Sequence, residues 1–143
     1  MKPHDTSESI NQFLERESNL PPYETFLIEC CERACMKPLR DLTPSDIVAL
    51  LRNEPDALTY LVPKALEILS NNPVIFGRQM EGDLFAQVLR VPKEYWRTHE
   101  EDWSLAYLLI TNLEEAVGQI WPVKDAFLSI EERAAEPTRR IKT

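Results

Sequence analysis

The sequence predicts an all-α fold, a single compact bundle of short helices punctuated by proline, and three observations carry that expectation. Eleven prolines against only three glycines divide the chain into segments of helical length. Within nearly every segment the apolar residues recur at spacings of three and four, without the alternation a strand needs. The length of 143 residues, with 43% hydrophobic and 28% charged composition, is that of one ordinary domain, large enough to bury a core without disulfides or a structural metal. One domain over residues 1–143, with no cofactor needed for folding, is therefore expected.

The polar lead, residues 1–20, has room for a short helix between Ser7 and Glu15. Pro21-Pro22 then opens a helix in which Tyr23, Leu27, Cys30 and Ala34 form one stripe, and Pro38 closes it. Thr43-Pro44-Ser45-Asp46 supplies a capping hydroxyl, a proline at the first helical position and an acid at the third, ahead of Ile47, Val48, Leu50 and Leu51. This is the clearest helix start in the chain. Leu58, Leu61, Val62, Ala65, Leu66 and Leu69 make a two-wide apolar stripe assigned to the core. Pro63 interrupts it, and a fresh helix start there, preceded by a turn over Leu58 to Val62, is the favoured reading over one helix with an unpaired Thr59 carbonyl. Asn71-Asn72-Pro73 ends the element, and the apolar Val74, Ile75 and Phe76 are expected to pin the next loop onto the core.

Gly82-Asp83 reads as a turn followed by an N-cap, with Leu84, Phe85, Val88 and Leu89 on the inner face of the helix it starts. Pro92 begins another turn or helix through Trp96. The longest segment runs from Glu100 to Gln119, with three acids at its start and Trp103, Ala106, Ile110, Leu113 and Val117 on one stripe. Leu105 and Leu109 mark a second stripe, so this segment is the expected central helix, covered on both faces. A last helix after Pro122 would bury Val123, Phe127, Ile130 and Ala134, leaving residues 136–143 as a frayed tail.

Charge and motifs exclude more than they assign. The net charge is −8, and because Arg139, Arg140 and Lys142 lie at the very end, residues 1–138 carry 24 acids against 13 bases, a net of −11. Such a surface repels nucleic acid and anionic lipid and suits capture of a basic protein. No apolar run approaches membrane-spanning length, and Met1 to Glu8 lacks the features of a secretory signal, so a cytoplasmic location is expected. Cys30, Cys31 and Cys35 offer at most two thiols on one helix face, and the histidines at 4 and 99 are far apart in sequence, so neither a metal site nor a thiol nucleophile with its base is signalled. His99-Glu100-Glu101-Asp102 lacks the second histidine of a metalloprotease motif, and Gly77, Gly82 and Gly118 have no phosphate-loop spacing.

Taken in order, Lys37-Pro38-Leu39-Arg40-Asp41-Leu42-Thr43-Pro44-Ser45-Asp46-Ile47, Leu61-Val62-Pro63-Lys64-Ala65-Leu66, Asn72-Pro73, Gly82-Asp83-Leu84 and Tyr95-Trp96 resemble a known family. The chain is similar to the immunity proteins of bacterial contact-dependent growth inhibition, over roughly residues 20–97. It departs from their pattern at Met80, where an aromatic is expected, and at Leu50-Leu51-Arg52-Asn53, where a Gly-Gln pair is expected. The resemblance implies a non-enzymatic cytoplasmic protein that binds and neutralises the C-terminal toxin domain of a delivered effector. It further implies a basic nuclease as partner, and a monomer forming a 1:1 heterodimer is the default for a chain of one domain. The matching residues themselves read as scaffold: Gly82 for its backbone freedom, Asp83 as a cap, Trp96 as core.

The acids that would oppose toxin Lys and Arg cluster at Glu54 with Asp56, Glu81 with Asp83, and Glu100 with Glu101 and Asp102. Two other classes are weighed beside this one. An acidic secretion chaperone or adaptor would expose a wide apolar groove to a client protein. A small enzyme using carboxylates would need a positioned nucleophile, base or metal set that the sequence does not display.

Overall fold

The computed structural model describes residues 6–16 and 25–129. Among them are seven α-helices and no β-strand. The chain divides into two compact units, one ending at Leu109 and the other beginning at Ile110.

The first unit starts with α1 (Ile10–Phe13), a single turn fixed by a reciprocal cap: Gln12 N–H donates to Ser9 Oγ at 3.2 Å and Ser9 N–H to Gln12 Oε1 at 2.8 Å. The preceding residues are tied down by Leu39 N–H on Glu8 C=O at 2.8 Å and Arg40 N–H on Thr6 C=O at 3.0 Å. Ile10 is thereby anchored in the core with no exposed surface.

In α2 (Phe26–Met36) Thr25 is the cap, accepting from Ile28 N–H at 3.1 Å. Its buried face is Cys31, Ala34 and Cys35, one position around from the stripe expected, and Leu27 is exposed. The smaller face is the one that lets α2 approach α3 (Pro44–Asn53) closely enough for Cys31 Sγ to sit 4.0 Å from Ala49 C=O. Pro21, Pro22 and Tyr23 lie outside the described residues. The start of α3 is as expected: Thr43 Oγ1 accepts from Asp46 N–H at 3.1 Å, Asp46 Oδ2 accepts from Thr43 N–H at 3.0 Å, and Lys37 Nζ donates to the same Oδ2 at 2.9 Å. α3 buries Ile47, Val48, Ala49 and Leu50 and packs against α2 on one side.

On its other sides α3 meets α4 (Leu58–Asn71) and α5 (Asp83–Leu89). The fresh start expected at Pro63 does not occur. A 3-10 turn, Pro55–Ala57, leads straight into α4, and Pro63 lies inside it with only the Thr59 carbonyl deprived of its helical donor. A proline inside a helix costs about 3 kcal/mol. Burying Leu58, Leu61 and Val62 ahead of it returns roughly 1.5–3 kcal/mol each, so the continuous helix wins.

Of the apolar residues expected to pin the loop after α4, Val74 and Phe76 are exposed and only Ile75 is half-buried. A carboxylate holds the loop, as described below. In α5 the buried positions are Leu84, Phe85, Gln87 and Val88, while Leu89 faces solvent. α6 (Lys93–Thr98) follows Pro92 and buries Tyr95.

The last helix, α7 (Glu100–Leu128), is not the central helix the sequence suggests. Only Asp102 and Ala106 are buried along it, and Trp103, Tyr107 and Leu108 are exposed in its first part. The core is already closed by Ile47, Leu50, Leu61, Leu66, Leu69, Leu84 and Val88 from α3, α4 and α5, which leaves no room for a second covered face.

In the second unit the described structure is the part of α7 from Ile110, ending at Leu128. No break follows Pro122, contrary to expectation. Pro122 and Gly118 are both exposed, so the carbonyl that proline leaves without a donor is open to solvent and needs no partner from the protein. Val123 and Phe127 are exposed instead of docked, and Ile130, Ala134 and the expected tail at 136–143 lie outside the described residues.

Candidate functional site

The α6–α7 corner carries two hollows in the surface of the first unit. Tyr95 is its anchor. The phenol donates to Asp102 Oδ2 at 2.6 Å, and burial followed by that carboxylate pushes the phenol well above its ordinary pKa, so it stays a donor. The His99 ring stacks on Tyr95 with centroids 3.9 Å apart, its Nδ1 is 2.8 Å from Tyr95 C=O, and its Nε2 is 3.3 Å from Thr59 Oγ1 of α4. This network fixes the turn between the two helices to the core. Glu100 and Glu101 project from the first turn of α7 and are exposed.

Beside them Lys93, Trp96, Arg97, Glu100 and Trp103 line an open cleft of about 350 Å³. Trp96 was expected in the core. It is only half-buried, its indole N–H donating to Val91 C=O at 3.0 Å, because the neighbouring Tyr95 takes the inward position. The cleft went unnoticed in the sequence, where the break at His99 hides that residues 93–97 and 100–103 face one another. Arg97, Glu100, Glu101 and Asp102 also line a second, more polar hollow with Thr98 and His99.

The three acidic clusters separate on their surroundings. Glu54 is turned inward: its Oε2 accepts from Arg16 Nη1 at 3.0 Å, and Oε1 lies 3.8 Å from Cys35 Sγ. Asp56, two residues on, is exposed. Asp83 is not the cap of its own helix, since the residue before α5 is Gly82, held at φ +86° where only glycine is unstrained. Its carboxylate reaches back to the loop, accepting from Gly77 N–H at 2.7 Å and from the N–H groups of Arg78 and Gln79 at 2.8 Å each. A side chain at Gly77 would collide with Asp83 Oδ1 and come within 2.8 Å of Val48 Cγ2, so glycine is required for this close approach. Burial opposes ionisation of Asp83, but the backbone donors of Gln79, Arg78, Gly77 and Met80 outweigh it and hold the carboxyl below its ordinary pKa. Glu81 is half-buried beside it. In the third cluster Asp102 is committed to Tyr95, with Glu100 and Glu101 outward.

Cys35 is fully buried against Arg16 and Glu54, and burial first, then the Glu54 charge, pushes its thiol up to about 12. Burial likewise raises Cys31. Cys30 lies 3.6 Å from Arg78 Nη2. The Cys31 and Cys35 thiols, held up by burial, are neutral near pH 7. Among the described residues no three His, Cys, Asp or Glu side chains are placed to hold a metal ion.

Comparison with curated proteins and with solved structures gave no match. The model of the family described as CDI immunity proteins matches residues 13–105. The chain belongs to the CDI immunity protein family. In this chain most of the residues that carry the resemblance support the fold, and Trp96, which lines the cleft, is the exception. Lys37 and Asp46 pair across the start of α3, Leu39 and Leu42 are buried, Leu61 to Leu66 cross Pro63 in the core, and Asp83 staples the loop that Gly77 and Gly82 shape. Tyr95 locks the α6–α7 corner. The matched segment contains that corner and its cleft. No helix among the described residues is long and apolar enough to cross a membrane.

Proposed function

We propose that this immunity protein works in the cytoplasm, binding the C-terminal toxin domain of its cognate effector and neutralising it without chemistry of its own. The observation that carries this reading is the family match over residues 13–105. The partner we infer is a basic nuclease domain, one per immunity chain, because a chain of net charge −8 attracts and orients a cationic partner. The α6–α7 corner is the surface we assign to it. Glu100 and Glu101 supply exposed negative charge, and Trp96 and Trp103 beside Arg97 offer the residue types that dominate binding energy at protein interfaces. Asp56 and Glu81 are further candidates for toxin contact. Glu54, Asp83 and Asp102 serve the fold, each carboxylate having an internal partner.

The test is titration calorimetry with the toxin domain encoded immediately upstream, at low and high salt, beside rescue of cells expressing that domain. Nanomolar binding with rescue, weakening as salt rises, is expected. Absence of both binding and rescue overturns the reading.

One observation favours a second class. The apolar surface on α7 beyond Ile110 is what an acidic chaperone would offer a client. A chaperone would bind the unfolded toxin domain in preference to the folded one, and an immunity protein does the reverse.

A further inference from the structure

We propose that Ile110–Leu128 of α7 is a dimerisation helix that pairs antiparallel with the same helix of a second copy. Ile110, Leu113, Val117, Ile120, Lys124 and Phe127 follow one another at spacings of three, four, three, four and three, the a and d positions of a heptad repeat. The same spacing holds at Trp103 and Ala106, but Ala106 is buried in the first unit, so the free repeat runs from Ile110 to Phe127. Ala116, Trp121 and Val123 flank this seam and widen it. Thr111, Asn112, Glu115, Gly118, Gln119 and Asp125 fall on the opposite side.

The seam is exposed where it is most apolar. Ile120 is 61% and Phe127 68% exposed, and Val117, Trp121 and Val123 are also in solvent. Those five side chains present on the order of 600 Å² per copy, against about 800 Å² per partner in a standard stable interface. Ile110 and Leu113, half-buried, extend the same seam. A helix of this length, about 28 Å, suffices for a two-stranded contact.

Charge selects a second copy in one orientation. Within residues 110–128 the seam carries one base, Lys124, with Glu114 the acid flanking it. Parallel pairing would stack Lys124 on its own counterpart in a single layer, which is repulsive. Antiparallel pairing about a two-fold axis beside Gly118 and Gln119 sets Ile110 against Phe127, Val117 against Ile120, and Lys124 against Leu113 with Glu114 adjacent. Lys124 Nζ already lies over the Trp121 ring, 3.6 Å from its centroid, so the incoming Glu114 would close an ion pair above that indole. The interface is self-complementary, as two-fold symmetry requires.

The experiment is sedimentation equilibrium of the full chain across the micromolar range, with wild type and three variants. Wild type is expected at twice the 16.6 kDa chain mass. Ile120→Glu, at a solvent-facing position, is expected to give a monomer with unchanged helical circular dichroism. Lys124→Glu is expected to weaken the dimer at least tenfold, and Glu114→Lys combined with Lys124→Glu to restore it, because only the antiparallel register brings these two positions together. A monomeric wild type overturns the proposal, whether its α7 face is then covered by the toxin domain or by residues 130–143. So does a dimer indifferent to Ile120→Glu, or a charge swap that fails to rescue.

Discussion

Asp83 shows how one carboxylate decides the shape of a loop. Its oxygens collect the N–H groups of Gly77, Arg78 and Gln79, which have no helix or strand to satisfy them. Asp83→Asn keeps the size and removes the charge, and its amide nitrogen would face donors it cannot accept from. The expected cost is about 3 kcal/mol, the loss of charge-assisted bonds plus a stranded donor. Thermal denaturation at pH 7 should show a melting temperature lower by about 10 °C. The pH dependence follows from the depressed carboxyl: the stabilisation is complete above the ordinary carboxylate range and is lost as pH falls through the lower folded-state value. The gap between wild type and Asp83→Asn should therefore narrow as pH drops below about 4. An equal gap at pH 3 and pH 7 would show that the charge is not what holds the loop.

At the scale of helices, local chemistry was legible and tertiary burial was not. Thr43, Pro44 and Asp46 state the start of α3 within four residues, because a cap is satisfied by neighbours in sequence. Thr43→Ala should cost about 1 kcal/mol, read as a lowered denaturant midpoint with an unchanged m-value. A changed m-value would mean that more than the cap was lost. The stripe Leu58 to Leu69 was likewise readable and is buried throughout. Whether Pro63 starts or interrupts α4 was not, since the answer depends on what Leu58, Leu61 and Val62 meet from α3 and α5. The same limit applies to α7 and to Asp83. Apolar periodicity shows that a face will be covered without saying by what, and Gly-Asp before a helix fits a forward cap as well as a backward staple. The α6–α7 cleft was hidden for a related reason: its walls belong to two helices separated by the turn at His99.

For the molecule as a whole, net charge sets the rate of encounter and particular carboxylates set where it ends. Glu100 and Glu101 are exposed at the α6–α7 corner, while Glu54 is engaged by Arg16. These positions should therefore fail in different ways. Reversing Glu100 and Glu101 to Lys moves the local charge by four units at an exposed surface. The expected result is association with the toxin domain about tenfold slower at low ionic strength, with the difference shrinking as salt rises, and a melting temperature lowered by the two cations now at the N-terminus of α7. Glu54→Gln removes the partner of a half-buried guanidinium and should lower the melting temperature while leaving the association rate within about twofold. Stopped-flow mixing at two salt concentrations, paired with thermal denaturation of each variant, separates the two behaviours. Should the Glu54 variant slow association while the double reversal does not, the toxin would be docking near α1 and α2, and the corner would be structural alone.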